Sequence, residues 1–359
     1  MDRQVNGAVR SPLDERDYTW EEVAMGLPTF DWKAGYDIEE VLGFKIAPKD
    51  QNGSFSCGGQ AWATLAAVQE ALHTKTYEER SAKFIYAHTA VHGGGSAGRT
   101  NSELYTKKGV ALESLCPSYE NGKAPSEAFM IRLADITDAA RTNAKSTVAK
   151  SYVSISPDMN SIAQAVRANG GVVIGVSARD NGTWYSEFPE APKDGKGIWR
   201  HWLYVGKAKT IKGKKYLGVL NSWGPDAGKN GWQWISEDYV NDTVYDSSFG
   251  IEQDCVWEAW TTVYNTGGVP VGFTYDFKKD VAYGQTGEEV RALQKALQAD
   301  GSFPAGFDLS PGAYPKAYYG DMTAQAVLKF RAKYGIDTST DPKGRNAGPK
   351  TRAKLNELF

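Results

Sequence analysis

The run VYNTGGVPVGF (263–273) constrains the fold more than any other stretch. Gly, Pro and small residues dominate it, so it reads as a linker, and the chain has a different texture on either side. Before it, Ala61, Leu65, Val68 and Leu72 fall on one helical face. Strand-like runs follow: GVVIGV (171–176), WLYVG (202–206), KYLGVLN (215–221) and WQWI (232–235). Helix first and strands later predict an α+β domain rather than an alternating α/β one. After the linker, GQTGEEVRAL, GDMTAQAVLKF and GPKTRAKLNEL form a loose repeat. Each has a Gly, a Thr soon after, and an apolar pair three apart: Val290/Leu293, Val327/Phe330 and Leu355/Leu358. Thr286 with Glu289 fits a capping box, Asp321 an N-cap and Pro349 a first helical turn. A small all-α domain of three helices is the simplest account. The predicted organisation is an arm (1–26), an α+β domain (27–262), a linker (263–275) and the three-helix domain (276–359), and 359 residues suit about two domains.

A net charge of −2 carries no nucleic-acid signature. Residues 276–359 carry +3 and the remainder −5, a tilt that bears only weakly on an anionic surface. No stretch approaches the roughly 18 consecutive apolar residues that span a bilayer, so no membrane partner is expected. The charged N-terminus is not a recognisable secretory signal, so synthesis in the cytosol is expected. Three cysteines, Cys57, Cys116 and Cys255, exclude a dense disulfide framework; Cys116 and Cys255 read as buried thiols rather than a bridge. The C-terminal segment has no His or Cys, the usual zinc ligands. No cofactor or metal is expected.

Chemistry concentrates around QNGSFSCGGQAW (51–62). Cys57 sits where a helix should begin, after a turn-forming stretch, and the partial positive charge of a helix N-terminus favours thiolate over thiol. A nucleophilic Cys needs a base. His73, His88 and His92 fall in or near the helical stretch after Cys57, whereas His201 opens an apolar run and is placed at a strand start. The base needs a group to fix its tautomer; Asn221 ends a strand, and Trp223 can cover the pair from water. An oxyanion needs two donors: the Cys57 N–H and the Gln51 amide, six residues before, supply them.

In that order Gln51, Cys57, His201, Asn221 and Trp223 resemble the papain family of cysteine peptidases (the C1 type). LPTFDW (27–32), SAKFIYA (81–87), SPDMNSIAQAVRANGGVVIGV (156–176) and NSWGPDAGKNGWQWI (221–235), the last holding Ser222, resemble segments of that family over about 27–260. The resemblance implies a two-lobed domain with the site in a cleft. It implies Cys57 as nucleophile, His201 as general acid/base, Asn221 as orienter and Gln51 as oxyanion donor, with Ser222 and Trp223 in support. Gly58 departs from the family, where an aromatic follows the nucleophile, and Trp62 is the candidate to fill that space. Arg200 also departs, and its charge would lower the His201 pKa. The 26 residues ahead of Leu27 are too few for the long inhibitory prosegment of many family members, which leaves zymogen control open.

VRALQKAL (290–297), YYGDMTAQAVLKFRAKYGI (318–336) and AGPKTRAKL (347–355) resemble a three-helix peptidoglycan-binding domain. The stretch SFPAGFDLSPGAYPKA (302–317) departs from its compact pattern. The two resemblances together imply a hydrolase that cleaves peptide or isopeptide bonds of peptidoglycan stem peptides while residues 276–359 hold bacterial cell-wall polymer. A phage-type lytic enzyme acting at the wall after lysis fits that pairing. The alternatives are a general protein peptidase with an anchoring tail, and an inactive wall-binding or virion module.

Overall fold

The computed structural model describes residues 6–12, 14, 17, 19–20, 24, 27–120, 122, 125–179, 182–192, 198–246, 250–264, 275–303 and 317–359. Most of the linker and of the 302–317 stretch lies outside them. The chain divides into two compact units: Met1–Glu21 with Thr29–Tyr264, and Glu22–Pro28 with Asn265–Phe359.

In the first unit a short parallel pair joins β1 (Ala8–Val9) to β3 (Ser96–Ala97). Helices gather in the first half: Cys57–Thr74, Ala82–Thr89 and Gly98–Lys108. The longest, Cys57–Thr74, is buried along most of its length and carries the apolar residues spaced for it, Ala61, Leu65 and Val68. Ser81 caps the next helix by accepting from the Phe84 N–H, and Asp158 caps the helix Met159–Asn169.

The second half supplies all but one strand of a seven-stranded antiparallel sheet. Its strands are β2 (Tyr36–Asp37), β4 (Ala149–Ile155), β5 (Val172–Arg179), β6 (Ile198–Ile211), β7 (Lys214–Leu220), β8 (Trp232–Ser236) and β11 (Val256–Tyr264). The order is β4-β11-β5-β6-β7-β8, with β2 on β6. β9 (Thr243–Asp246) and β10 (Ile251–Asp254) form a separate hairpin. The four sequence-predicted strand runs lie in β5 to β8, but β6 begins at Ile198, so His201 sits inside it. Trp62, Trp202, Trp257 and Trp260 are buried in the core between helices and sheet. The three cysteines are buried and unbridged.

The second unit holds helices Glu288–Ala299, Asp321–Lys333 and Pro349–Leu358 and a two-residue antiparallel pair, β12 (Val281–Ala282) with β13 (Asn346–Ala347). Val290, Leu293, Val327, Phe330 and Leu355 meet in its core. Two capping expectations are displaced by one residue: Gly287 and Gly320 hold the cap positions, and Asp321 is the first helical residue. Thr286 instead bridges to Tyr318. Pro349 opens its helix as expected. Among the described residues no helix is long and apolar enough to cross a membrane.

Candidate active site

Cys57 is the first residue of its helix, and Ser56 stands at the cap without a capping side-chain bond. The residue before that cap is pinned: the Phe55 N–H donates to Glu127 (2.8 Å), Tyr86 OH donates to the other Glu127 oxygen (2.7 Å), and the Gly95 N–H donates to Tyr86 (2.7 Å). Neither Glu127 nor Tyr86 was legible as part of the site.

The structure brings together His201 and Asn221, the residues expected as base and orienter. His201 Nε2 lies 2.9 Å from Asn221 Oδ1, and both residues are fully buried. The roles along this chain of bonds are fixed from its far end. Backbone carbonyls only accept, so Gln233 Nε2 donates to Trp184 O (2.8 Å) and Ser186 O (3.0 Å). Its Oε1 is left to accept from Asn221 Nδ2 at 2.8 Å. Asn221 Oδ1 must then accept from an Nε2–H on His201, which leaves Nδ1 as the basic nitrogen. Trp223 packs on the imidazole with centroids 5.2 Å apart, and Trp199 adds a second wall at 5.8 Å. Trp184 stands behind Trp199 at 5.3 Å. Gln233, Trp184 and Trp199 were missed: a single Gln inside WQWI gives no signal of its own.

Gln51 is fully buried beside the same segment. Its N–H donates to Ser222 O (2.9 Å), and its Oε1 accepts from the Ser222 hydroxyl (2.6 Å), the end of the amide being fixed by the Ser54 carbonyl, which only accepts. One Nε2 contact goes to Ser54 O at 3.1 Å. Ser222 thus orients Gln51 as Gln233 orients Asn221.

Gly58 is required by its neighbours. A Cβ there would collide with Ser96 Oγ and come within 2.7 Å of Asn101 Nδ2 and 3.2 Å of Trp202 Cδ1. Ser96, Asn101 and Trp202 therefore fill the space assigned to Trp62, which packs edge-on against Trp202 from the core at 5.2 Å. Arg200 pairs with buried Asp246.

The N-terminal arm reaches this site: residues 6–11 lie across Cys57. The Ser96 N–H donates to Gly7 O (3.0 Å), β1 pairs with β3, and the Arg200 N–H donates to Asn6 Oδ1 (3.1 Å). A Cβ on Gly7 would lie 2.6 Å from Cys57 Sγ. Under this cover Cys57 is fully buried. Burial pushes its thiol up to about 12, against smaller opposing contributions from the Trp202, Gly58 and Cys57 backbone. The acidified thiolate expected of a helix N-terminus is therefore not found in the covered state, because desolvation outweighs the helix end.

The model of the papain family of cysteine proteases matches residues 29–258. The chain belongs to the papain family. Xylellain, a cysteine protease from Xylella fastidiosa, superposes with a TM-score of 0.54 at 18% identity, over 73% of this chain and 97% of that one. Digestive procathepsin L 3 of Tenebrio molitor superposes with a TM-score of 0.50 at 20% identity, over 68% and 75%. The ragweed pollen cysteine protease Amb a 11 in its proform gives 0.50 at 18% identity, over 67% and 69%. At these identities the likeness is one of fold. The comparison with curated proteins returns no match. This papain-family chain is a cysteine peptidase, a hydrolase with the α+β fold expected. Among its described residues no group of three or more His, Cys, Asp or Glu side chains could hold a metal ion.

Proposed function

We propose that this papain-family peptidase is directed to bacterial cell wall, and that it is held with residues 6–11 across its nucleophile until they are displaced. The observation that carries the chemistry is the bond chain Gln233–Asn221–His201, which leaves one imidazole nitrogen to act as base. Cys57 sulfur attacks the scissile carbonyl while His201 takes the thiol proton. The oxyanion accepts from the Cys57 N–H and Gln51 Nε2. His201 returns the proton to the leaving amine, and water then hydrolyses the thioester.

The wall reading is supported by the unit 275–359. Its second and third helices open on Gly320-x-x-Thr323 and Gly348-x-x-Thr351, with both threonines buried, as the repeat suggested. Tethering of this kind raises the local concentration of scissile bonds without any new contact at the site. The covered state is supported by the Gly7–Cys57 approach, and two of the structurally similar proteins are proforms. A short segment suffices here because it needs only to fill the cleft at one strand and two anchors. The test is mass spectrometry of peptidoglycan fragments after digestion, with Cys57→Ala as control. New amino groups released only by the intact chain support the reading. Cleavage of unfolded protein with peptidoglycan untouched favours a general peptidase with an anchoring tail.

A further inference from the structure

The covering segment ends on a carboxylate that the chemistry at Cys57 does not use. Glu258 Oε1 accepts from the Ser11 N–H (2.6 Å) and Oε2 from the Ser11 hydroxyl (2.8 Å). Trp260 Nε1 donates to Oε2 at 2.8 Å. Burial holds this carboxyl above the usual carboxylate range. Next to it the Arg10 guanidinium lies 5.5 Å over the Trp257 ring. The end of the covering segment therefore meets an acid and an aromatic face, bringing hydrogen-bond donors to one and a cation to the other.

Arg99 meets the same segment only through its backbone, whose N–H donates to Ser11 Oγ at 3.0 Å, while its side chain is held elsewhere. Its guanidinium clamps both oxygens of Asp17. Asp17 is followed by Trp20, which is buried and donates to Gln164 (2.9 Å). Both anchors lie beyond Ser11, so residues 6–11 can leave while Arg99 stays paired. Glu258 then loses both Ser11 donors and keeps Trp260. The uncovered carboxylate keeps one protein donor, and a ligand bringing N–H groups and positive charge takes the place that Ser11 and Arg10 held. A guanidinium or ammonium also gains from the Trp257 face.

We propose that Glu258 is a specificity-determining residue that selects a lysine or arginine side chain of the substrate, with Trp257 as the wall along which that side chain lies. At about 3.3 Å per strand residue, Ser11 lies about 13 Å along the chain from Gly7, so the selected side chain belongs within about four residues of the scissile bond. The proposal rests on the peptidase reading of the site and is independent of wall anchoring.

The test uses the full chain carrying Gly7→Val, whose added methyls do not fit against the sulfur and so open the cleft. Fluorogenic peptide libraries, randomised one position at a time, are compared with and without Glu258→Gln and Glu258→Lys. The expected result is one position at which Lys or Arg exceeds norleucine by about tenfold or more in kcat/KM. Glu258→Gln should bring that ratio close to one, and Glu258→Lys should turn the preference towards Asp or Glu. An unchanged profile in both variants overturns this proposal alone. If no library member is cleaved by any of the chains, the peptidase reading falls with it.

Discussion

Gly7 Cα stands so close to Cys57 Sγ that a Cβ at position 7 would fall 2.6 Å from the sulfur. No side chain but hydrogen fits there without moving the nucleophile or the segment. Under the proposed function, residues 6–11 must move before Cys57 can meet a substrate.

Gly7→Val should therefore activate. A site that is open only a fraction of the time has its apparent rate scaled by that fraction, so opening it is expected to raise the initial rate on a small peptide by about tenfold or more. The measurement is the initial rate of the full-length variant against the parent chain. Equal rates would show that the segment leaves the cleft freely.

The covered thiol also sets a pH dependence. In the covered state the Cys57 thiol sits at about 12, above the ordinary thiol value of 9.0. The covered state thus holds its proton more tightly than an open one, so its stability advantage is full below the open-state value and is lost as pH rises towards 12. Labelling of Cys57 by a thiol probe in the parent chain should keep climbing through the alkaline range. In Gly7→Val it should level off at lower pH. Coincident profiles would mean that the segment does not control the thiol.

Gln51→Ala should lower kcat by about 10²-fold or more while leaving the fold intact, because it removes the proposed oxyanion donor. Ser222→Ala should lower kcat less, since the Gln51 amide persists but loses the hydroxyl that orients it. The check is kcat and KM for one peptide across both variants. A Gln51→Ala chain with unchanged kcat would remove Gln51 from the site.

Gln233→Ala should act at a distance from the sulfur. It strands the Asn221 amide and two backbone carbonyls, each costing about 1–3 kcal/mol when buried and unpaired. Asn221 is then free to flip, so kcat is expected to fall and the pH profile to move, alongside a lower Tm. A lower Tm with an unmoved pH profile would make Gln233 merely structural.

What the sequence made legible follows from where each signal lives. Cys57, His201, Asn221 and Gln51 stand in short segments whose local chemistry is unusual, and the structure places His201 with Asn221 and Gln51 with Ser222. The strand runs were visible because β5 to β8 bury nearly continuous apolar residues. Asn6, Gly7 and Ser11 are bland residues whose roles come from partners 50 to 247 positions away, so nothing nearby marks them. Trp202 took the space over Gly58 because β6 continues past His201 and carries it there. The helix caps at 287 and 320 went to glycine because residues 286 and 318 pair as a bridge just before those helices start.

The most direct test of the account is the rate at which an electrophilic thiol probe modifies each cysteine of the Gly7→Val chain, followed by mass spectrometry. Cys57 should react far faster than Cys116 and Cys255, and His201→Ala should abolish that lead. Equal, slow modification of all three cysteines in the opened chain would contradict a nucleophile activated by His201.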